Sequence, residues 1–161
     1  MAHIIRDVKR EELKTSARVV RESFKTVAAE LNLTRENAPT HPSFTTVADL
    51  RKSLDDVSDF FGLFVGDIQV GFVVAEKAGD GLFYMKRLAV LPGHRHKGYG
   101  DKLVGYVIAH ARKRGGKMLS IAIIDEHIIL KDWYRAMGFV ETSTSVYPHL
   151  PFTVCFMEKE I

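Results

Sequence analysis

The stretch "LAVLPGHRHKGYGDKLVGYVIAHARKRGG", residues 88–116, decides the fold. It opens within a β-rich run, 82–91, that reads as a strand. It closes on 98–114, where Leu103, Val104, Val107, Ile108 and Ala111 recur at helical spacing. Gly115 and Gly116 end that helix in the manner of a C-cap. The turn between, "HRHKGYG" (94–100), packs four basic or potentially basic side chains and two glycines into seven residues. A helix N-terminus carries unpaired N–H groups and about half a positive charge, and anions bind there. Gly98 and Gly100 permit positive φ and close backbone approach, and Arg95 and Lys97 add formal charge. This turn is expected to seat a phosphate or pyrophosphate.

Working outward, 117–124 reads as a strand, so the helix joins two strands that are parallel with a right-handed crossover. Upstream, 3–8 is a strand candidate. Residues 10–32 carry a stripe of Leu13, Ala17, Val20, Phe24, Val27, Ala28 and Leu31, the mark of an amphipathic helix. Pro39 and Pro42 make 33–44 a loop, and 45–56 reads as a second helix capped by Thr45 or Thr46. Runs 59–67 and 68–77 turn at Gly66-Asp67. Downstream, 126–137 is a helix closed by Gly138, and 139–147 with 152–160 make an antiparallel pair around "PHLP". The order β-α-α-β-β-β-α-β-α-β-β predicts an α/β (α+β) fold. It implies a mixed, mostly antiparallel sheet of about seven strands with one parallel pair, flanked by four helices.

The 161 residues suggest a single domain, 1–161. Composition is ordinary for a globular protein, with 46% apolar and 27% charged residues and a net charge of +3. That charge is uneven. Residues 86–117 hold nine lysines and arginines and one acid, Asp101, and the remainder is net negative. The lone Cys155 excludes an intrachain disulfide and, in its alternating apolar run, reads as a buried structural thiol. There is no signal-peptide h-region and no run of ~20 apolar residues, so the expectation is a soluble, cytoplasmic protein without membrane contact. His94, His96 and His110 lack a cysteine-containing zinc pattern, and no metal is expected. The basic "ARKRGGK" (111–117) sits where cations offset a helix dipole, so nucleic acid is not the expected partner.

The turn fits neither common nucleotide motif. Tyr99-Gly100 stand where a P-loop needs Lys-Ser/Thr, and Leu103 stands where a dinucleotide fingerprint needs its third glycine. The pattern Arg95-x-x-Gly98-x-Gly100 resembles instead the [QR]-x-x-G-x-[GA] motif of the GNAT superfamily of N-acyltransferases. The element order is similar to that superfamily over nearly the whole chain. "WYRAMGF" (133–139) resembles its late Y-x-x-x-G-F signature, with Tyr134, Gly138 and Phe139 in place.

The resemblance implies an acetyl-CoA-dependent N-acetyltransferase. Leu88, Ala89 and Val90 would meet the pantetheine arm. The N–H groups of Arg95, His96, Lys97, Gly98, Tyr99 and Gly100 would hold the pyrophosphate, with Asp101 at the edge; Lys102 or another nearby basic residue is a candidate contact for the 3′-phosphate. His127 stands where the family often has a cofactor-touching Asn. Tyr134 is the matched general acid, its ordinary pKa near 10 keeping it protonated at neutral pH. A backbone N–H around Val90 would polarise the thioester carbonyl where the parallel strands splay. Glu76, Asp125, His149 and Glu158 are candidate bases. The acceptor pocket is expected from 33–44, the helix after it and 143–152, through His41, Phe44, Tyr147, His149 and Phe152. The net negative remainder and the acidic "DDVSD" (55–59) suggest a cationic amine, on a small molecule or a peptide. A homodimer is left open. The rival reading is a non-catalytic CoA-binding or sensing module on the same fold.

Overall fold

The structure, a computed structural model, describes residues 2–55 and 58–161. The chain runs through β1 (His3–Asp7), α1 (Leu13–Glu30), α2 (Val47–Asp55), β2 (Ser58–Val65), β3 (Ile68–Gly79) and β4 (Leu82–Val90). It continues through α3 (Tyr99–Lys113), β5 (Met118–Ile124), α4 (Ile128–Ala136), β6 (Val140–Val146) and β7 (Thr153–Glu160). The expected end of the second helix at 56, and part of the acidic run 55–59, lie outside the described residues.

The strands form one seven-stranded sheet in the order β1-β2-β3-β4-β5-β7-β6. Neighbours are antiparallel except β4 and β5, which are parallel as the α3 crossover requires. β7 enters between β5 and β6, so the final hairpin is completed against β5 by its second strand, and β6 is an exposed edge.

Helices cover both faces. β3 is buried from Gln69 to Ala75, which explains why that segment reads as a nearly continuous apolar run. On one face Leu13, Ala17, Val19 and Val20 of α1 and Leu50 of α2 pack on Phe60, Phe72, Val74 and Ala89. On the other, Leu103, Val104, Val107 and Ala111 of α3 and Tyr134 of α4 pack on Leu63, Val73, Phe83, Met85 and Leu119. Buried polar groups in α1 find partners: the Ser16 hydroxyl donates to Gln69 Oε1 at 3.0 Å. α2 begins with a reciprocal cap. Thr46 Oγ1 accepts from the Asp49 N–H at 3.1 Å, and Asp49 Oδ2 accepts from the Thr46 N–H at 2.9 Å. Thr46, not Thr45, is therefore the cap.

Phe72 is fully buried and meets Phe60 edge-on at 5.3 Å. Phe72→Ala should cost about 3–5 kcal/mol of unfolding free energy, read from the urea midpoint at unchanged slope.

Candidate active site

β4 and β5 pair over only three positions, Leu82 with Met118, Phe83 with Leu119 and Tyr84 with Ser120. Beyond them the two strands continue without pairing, to Val90 and Ile124. The gap lies at their C-terminal ends. β4 is also bulged there: Lys86 faces Val74 while Ala89 faces Phe72, so β4 holds one extra residue in between. Arg87 takes up the bulge with φ of 51°. A non-glycine residue in that region costs about 1–3 kcal/mol.

Past β4 the Leu91 N–H donates to Val70 O at 2.8 Å, and Pro92–His94 form a 3₁₀ turn. Backbone φ is 63° at His96 and 80° at Gly98, the N-cap of α3. A Cβ at Gly98 would touch nothing, so glycine answers a conformational need there rather than a spatial one. Gly100 is different: a Cβ would lie 3.0 Å from the Trp133 ring, so its absence lets α3 approach α4. The first bond of α3 is Lys102 N–H to Gly98 O at 3.2 Å. Lys97 closes a tight turn over Arg95 and His96, and among the described residues no acceptor meets the N–H groups of His96, Gly98, Tyr99, Gly100 and Asp101. Five donors therefore surround the positive end of a 15-residue helix. His94 Nδ1 is buried beside them, also without a partner.

Arg95 behaves otherwise than a phosphate ligand. Its N–H donates to Pro92 O at 3.3 Å. Its guanidinium donates to Ser23 O at 2.6 Å and to Val90 O at 3.3 Å. The Val90 N–H in turn donates to Ser23 Oγ at 3.2 Å. The residue that opens the motif thus ties the loop to α1 and to the end of β4.

Tyr134 is 4% exposed, with its ring edge-on to Phe139 at 5.3 Å. Burial pushes its phenol above the ordinary value of 10, so it stays protonated across the neutral range. His127 caps α4: its Nδ1 accepts from the Leu130 N–H at 3.2 Å. That role needs an unprotonated Nδ1 and leaves Nε2 for other contacts.

The candidate bases divide by position. Glu76 faces Tyr84, at the closed end of the parallel pair, and its carboxylate binds Lys86 Nζ at 2.9 Å. Glu158 faces Ser120, at the same closed end. Asp125 follows β5 at the open end, but its carboxylate is bound by Lys131 Nζ. Lys131 also meets Glu141 Oε1 at 3.0 Å, and Cys155 Sγ donates to that same atom at 3.3 Å. Asp125, Glu141 and Cys155 are close enough to hold a metal ion, but the Lys131 ammonium already bridges the two carboxylates. Burial and Glu141 push the Cys155 thiol up to about 11, so it is protonated and inert at neutral pH. His149 lies in the β6–β7 turn at the open end, its ring 5.8 Å from that of Tyr147.

The acceptor-side expectations converge in part. Phe152 packs with Leu31 against Leu33 and Ala38, joining the last turn to the loop after α1. His41 and Phe44 line a small cavity of about 120 Å³ with Thr45, Asp49 and Arg87. Arg87 is the residue that sequence reasoning passed over. Its signal was two adjacent charges, Lys86-Arg87, interrupting an alternating strand.

The sequence profile of the Acetyltransferase (GNAT) family matches residues 24–139. The chain belongs to that family and is an enzyme of the acyltransferase class. No curated protein matches it. Among solved structures it resembles the PaiA N-acetyltransferase from Thermoplasma acidophilum in complex with coenzyme A, at 21% identity over 100% of both chains and a TM-score of 0.78. It resembles the ribosomal-protein-S18-alanine N-acetyltransferase from Escherichia coli at 15% identity, over 99% of this chain and 94% of that one, with a TM-score of 0.79. The phosphinothricin acetyltransferase from Sinorhizobium meliloti, in complex with AcCoA, is 16% identical over 100% of this chain and 89% of its own, with a TM-score of 0.76. Likeness at these identities speaks for the fold. Among the described residues no helix is long and apolar enough to cross a membrane.

His41 is buried, and burial lowers its imidazole from 6.5 to about 4. The unfolded chain takes up a proton there that the folded chain refuses. The stability this represents is complete above pH 6.5 and is lost as pH falls towards 4. Melting temperatures recorded from pH 7 to 4 should fall in this window for the wild type and follow a flatter course for His41→Gln.

Proposed function

We propose that the protein transfers the acetyl group of acetyl-CoA to a primary amine of a small molecule or peptide, by direct attack when both are bound. The observation that carries this reading is the set of unengaged N–H groups at 96 and 98–101, in the loop and helix start that follow β4 where it parts from β5. Those groups fit a diphosphate, and the gap accepts an extended arm running back along Leu88, Ala89 and Val90. His94 Nδ1 adds a further buried group that has no partner among the described residues.

Bound there, acetyl-CoA supplies an activated acetyl group. The chain then has three tasks. A backbone N–H must polarise the thioester carbonyl. The Leu91 N–H points to β3, so strand alternation sends those of Leu88 and Val90 to the gap side. Val90 is engaged by Ser23, which leaves Leu88 as the donor. The amine must arrive uncharged; its nitrogen bonds to the carbonyl carbon as the carbon–sulfur bond breaks, and its proton passes to water or to His149 at the open end. Tyr134 gives its hydroxyl proton to the departing thiolate. Asp125 and Glu76, each held by a lysine, are poorly placed as bases.

An amine panel assayed by release of the CoA thiol tests this reading. Tyr134→Phe should lower kcat by about a hundredfold or more, the usual contribution of a general acid. Acetyl-CoA should still raise its melting temperature as in the wild type. Undiminished turnover in Tyr134→Phe would remove the tyrosine from the mechanism.

A further inference from the structure

On the α1–α2 side of the β4 bulge, two residues that line the 120 Å³ cavity, Arg87 and Thr45, each carry a buried polar atom in its wall. Arg87 Nε and Thr45 Oγ1 are both buried and, among the described residues, neither has a hydrogen-bond partner. His41 and Phe44 form walls, and Asp49 lies at one side. Asp49 acts on Arg87 through space, while its Oδ2 is taken by the Thr46 N–H at 2.9 Å. A buried donor without a partner is costly, more so on a charged group. The chain also holds Arg87 in a strained backbone conformation where glycine would be relaxed. Both facts fit a side chain placed for a ligand.

The ligand chemistry follows from the donors. A guanidinium offers a planar fork with Nε on one edge, matched to the two oxygens of a carboxylate. The Thr45 hydroxyl adds a third donor. Arg87 is one residue before Leu88 and three before Val90, so it lies within ~10 Å of the gap along the strand. We infer that the acceptor carries a carboxylate besides its amine, seated on Arg87 and Thr45 while the amine reaches the β4–β5 gap. This rests on the acetyltransferase reading and names its substrate class. It replaces the cationic acceptor expected from net charge. Charges on the far surface are screened beyond a Debye length of about 8–10 Å, whereas Arg87 lines the cavity itself.

The test uses ω-amino carboxylates of two to six carbons, each paired with its amide, which keeps the amine and removes the anion. Initial rates are read by CoA thiol release, and binding by calorimetry with coenzyme A present, where no turnover occurs. The wild type should favour at least one carboxylate over its amide by about tenfold or more. Arg87→Met should bring that preference close to one by raising KM for the carboxylate, Arg87→Lys should retain part of it, and Thr45→Val should weaken it with little change of shape. Melting temperatures confirm that each variant folds. No carboxylate binding more tightly than its amide, or equal losses for both members of a pair in Arg87→Met, overturns the inference. Failure of acetyl-CoA to raise the melting temperature would instead strike the acetyltransferase reading, and calorimetry would still decide whether Arg87 holds the anion.

Discussion

The Arg95 guanidinium donates to the carbonyls of Ser23 in α1 and Val90 at the end of β4, at 2.6 and 3.3 Å. The Ser23 hydroxyl accepts from the Val90 N–H. These contacts fasten the last residues of β4 to a helix instead of to β5. A strand that kept pairing with β5 would close the sheet and leave no opening at its edge. Held as it is, β4 leaves β5 after three residue pairs, and most N–H groups of the loop that follows meet no protein acceptor among the described residues. Other features of the site depend on that separation.

The candidate site residues gather at one end of the sheet. Leu88 to Val90, the 94–100 loop, Asp125, His127 and the β6–β7 turn all lie where β4 and β5 part. α4 brings Tyr134 to the α3 face, and Gly100 allows the close packing through Trp133. The opposite face carries α1, α2 and the loop with His41 and Phe44, around Arg87. On the proposed reading, the acetyl donor and its acceptor would approach β4 from different sides, as direct transfer in a ternary complex requires.

Much of this was legible because its signals are local. The glycines and basic residues of 94–100, the strand before and the helix after are written within some thirty residues, and so is the late Tyr-x-x-x-Gly-Phe. What was hidden depends on register and on distant partners. The φ of Arg87 follows from an extra residue opposite β3, which no pattern in "YMKRLAV" counts. Arg95 reads as phosphate charge, but its partner Ser23 is 72 positions away. Asp125 reads as a free carboxylate until Lys131 folds back on it. His127 departs from the family's Asn, and its cap on α4 becomes visible only with the helix in place. The insertion of β7 between β5 and β6 is likewise a matter of long-range pairing.

Amide resonances give the most direct test of the claim that the 94–100 turn and the start of α3 receive a diphosphate. Uniformly ¹⁵N-labelled protein would be titrated with coenzyme A and, separately, with pantetheine, which shares the arm but lacks the phosphates. The account predicts that coenzyme A moves the amides of residues 96–101 strongly and that pantetheine leaves them near their starting positions. Coenzyme A binding with those amides unmoved, or equal shifts from pantetheine, would contradict it.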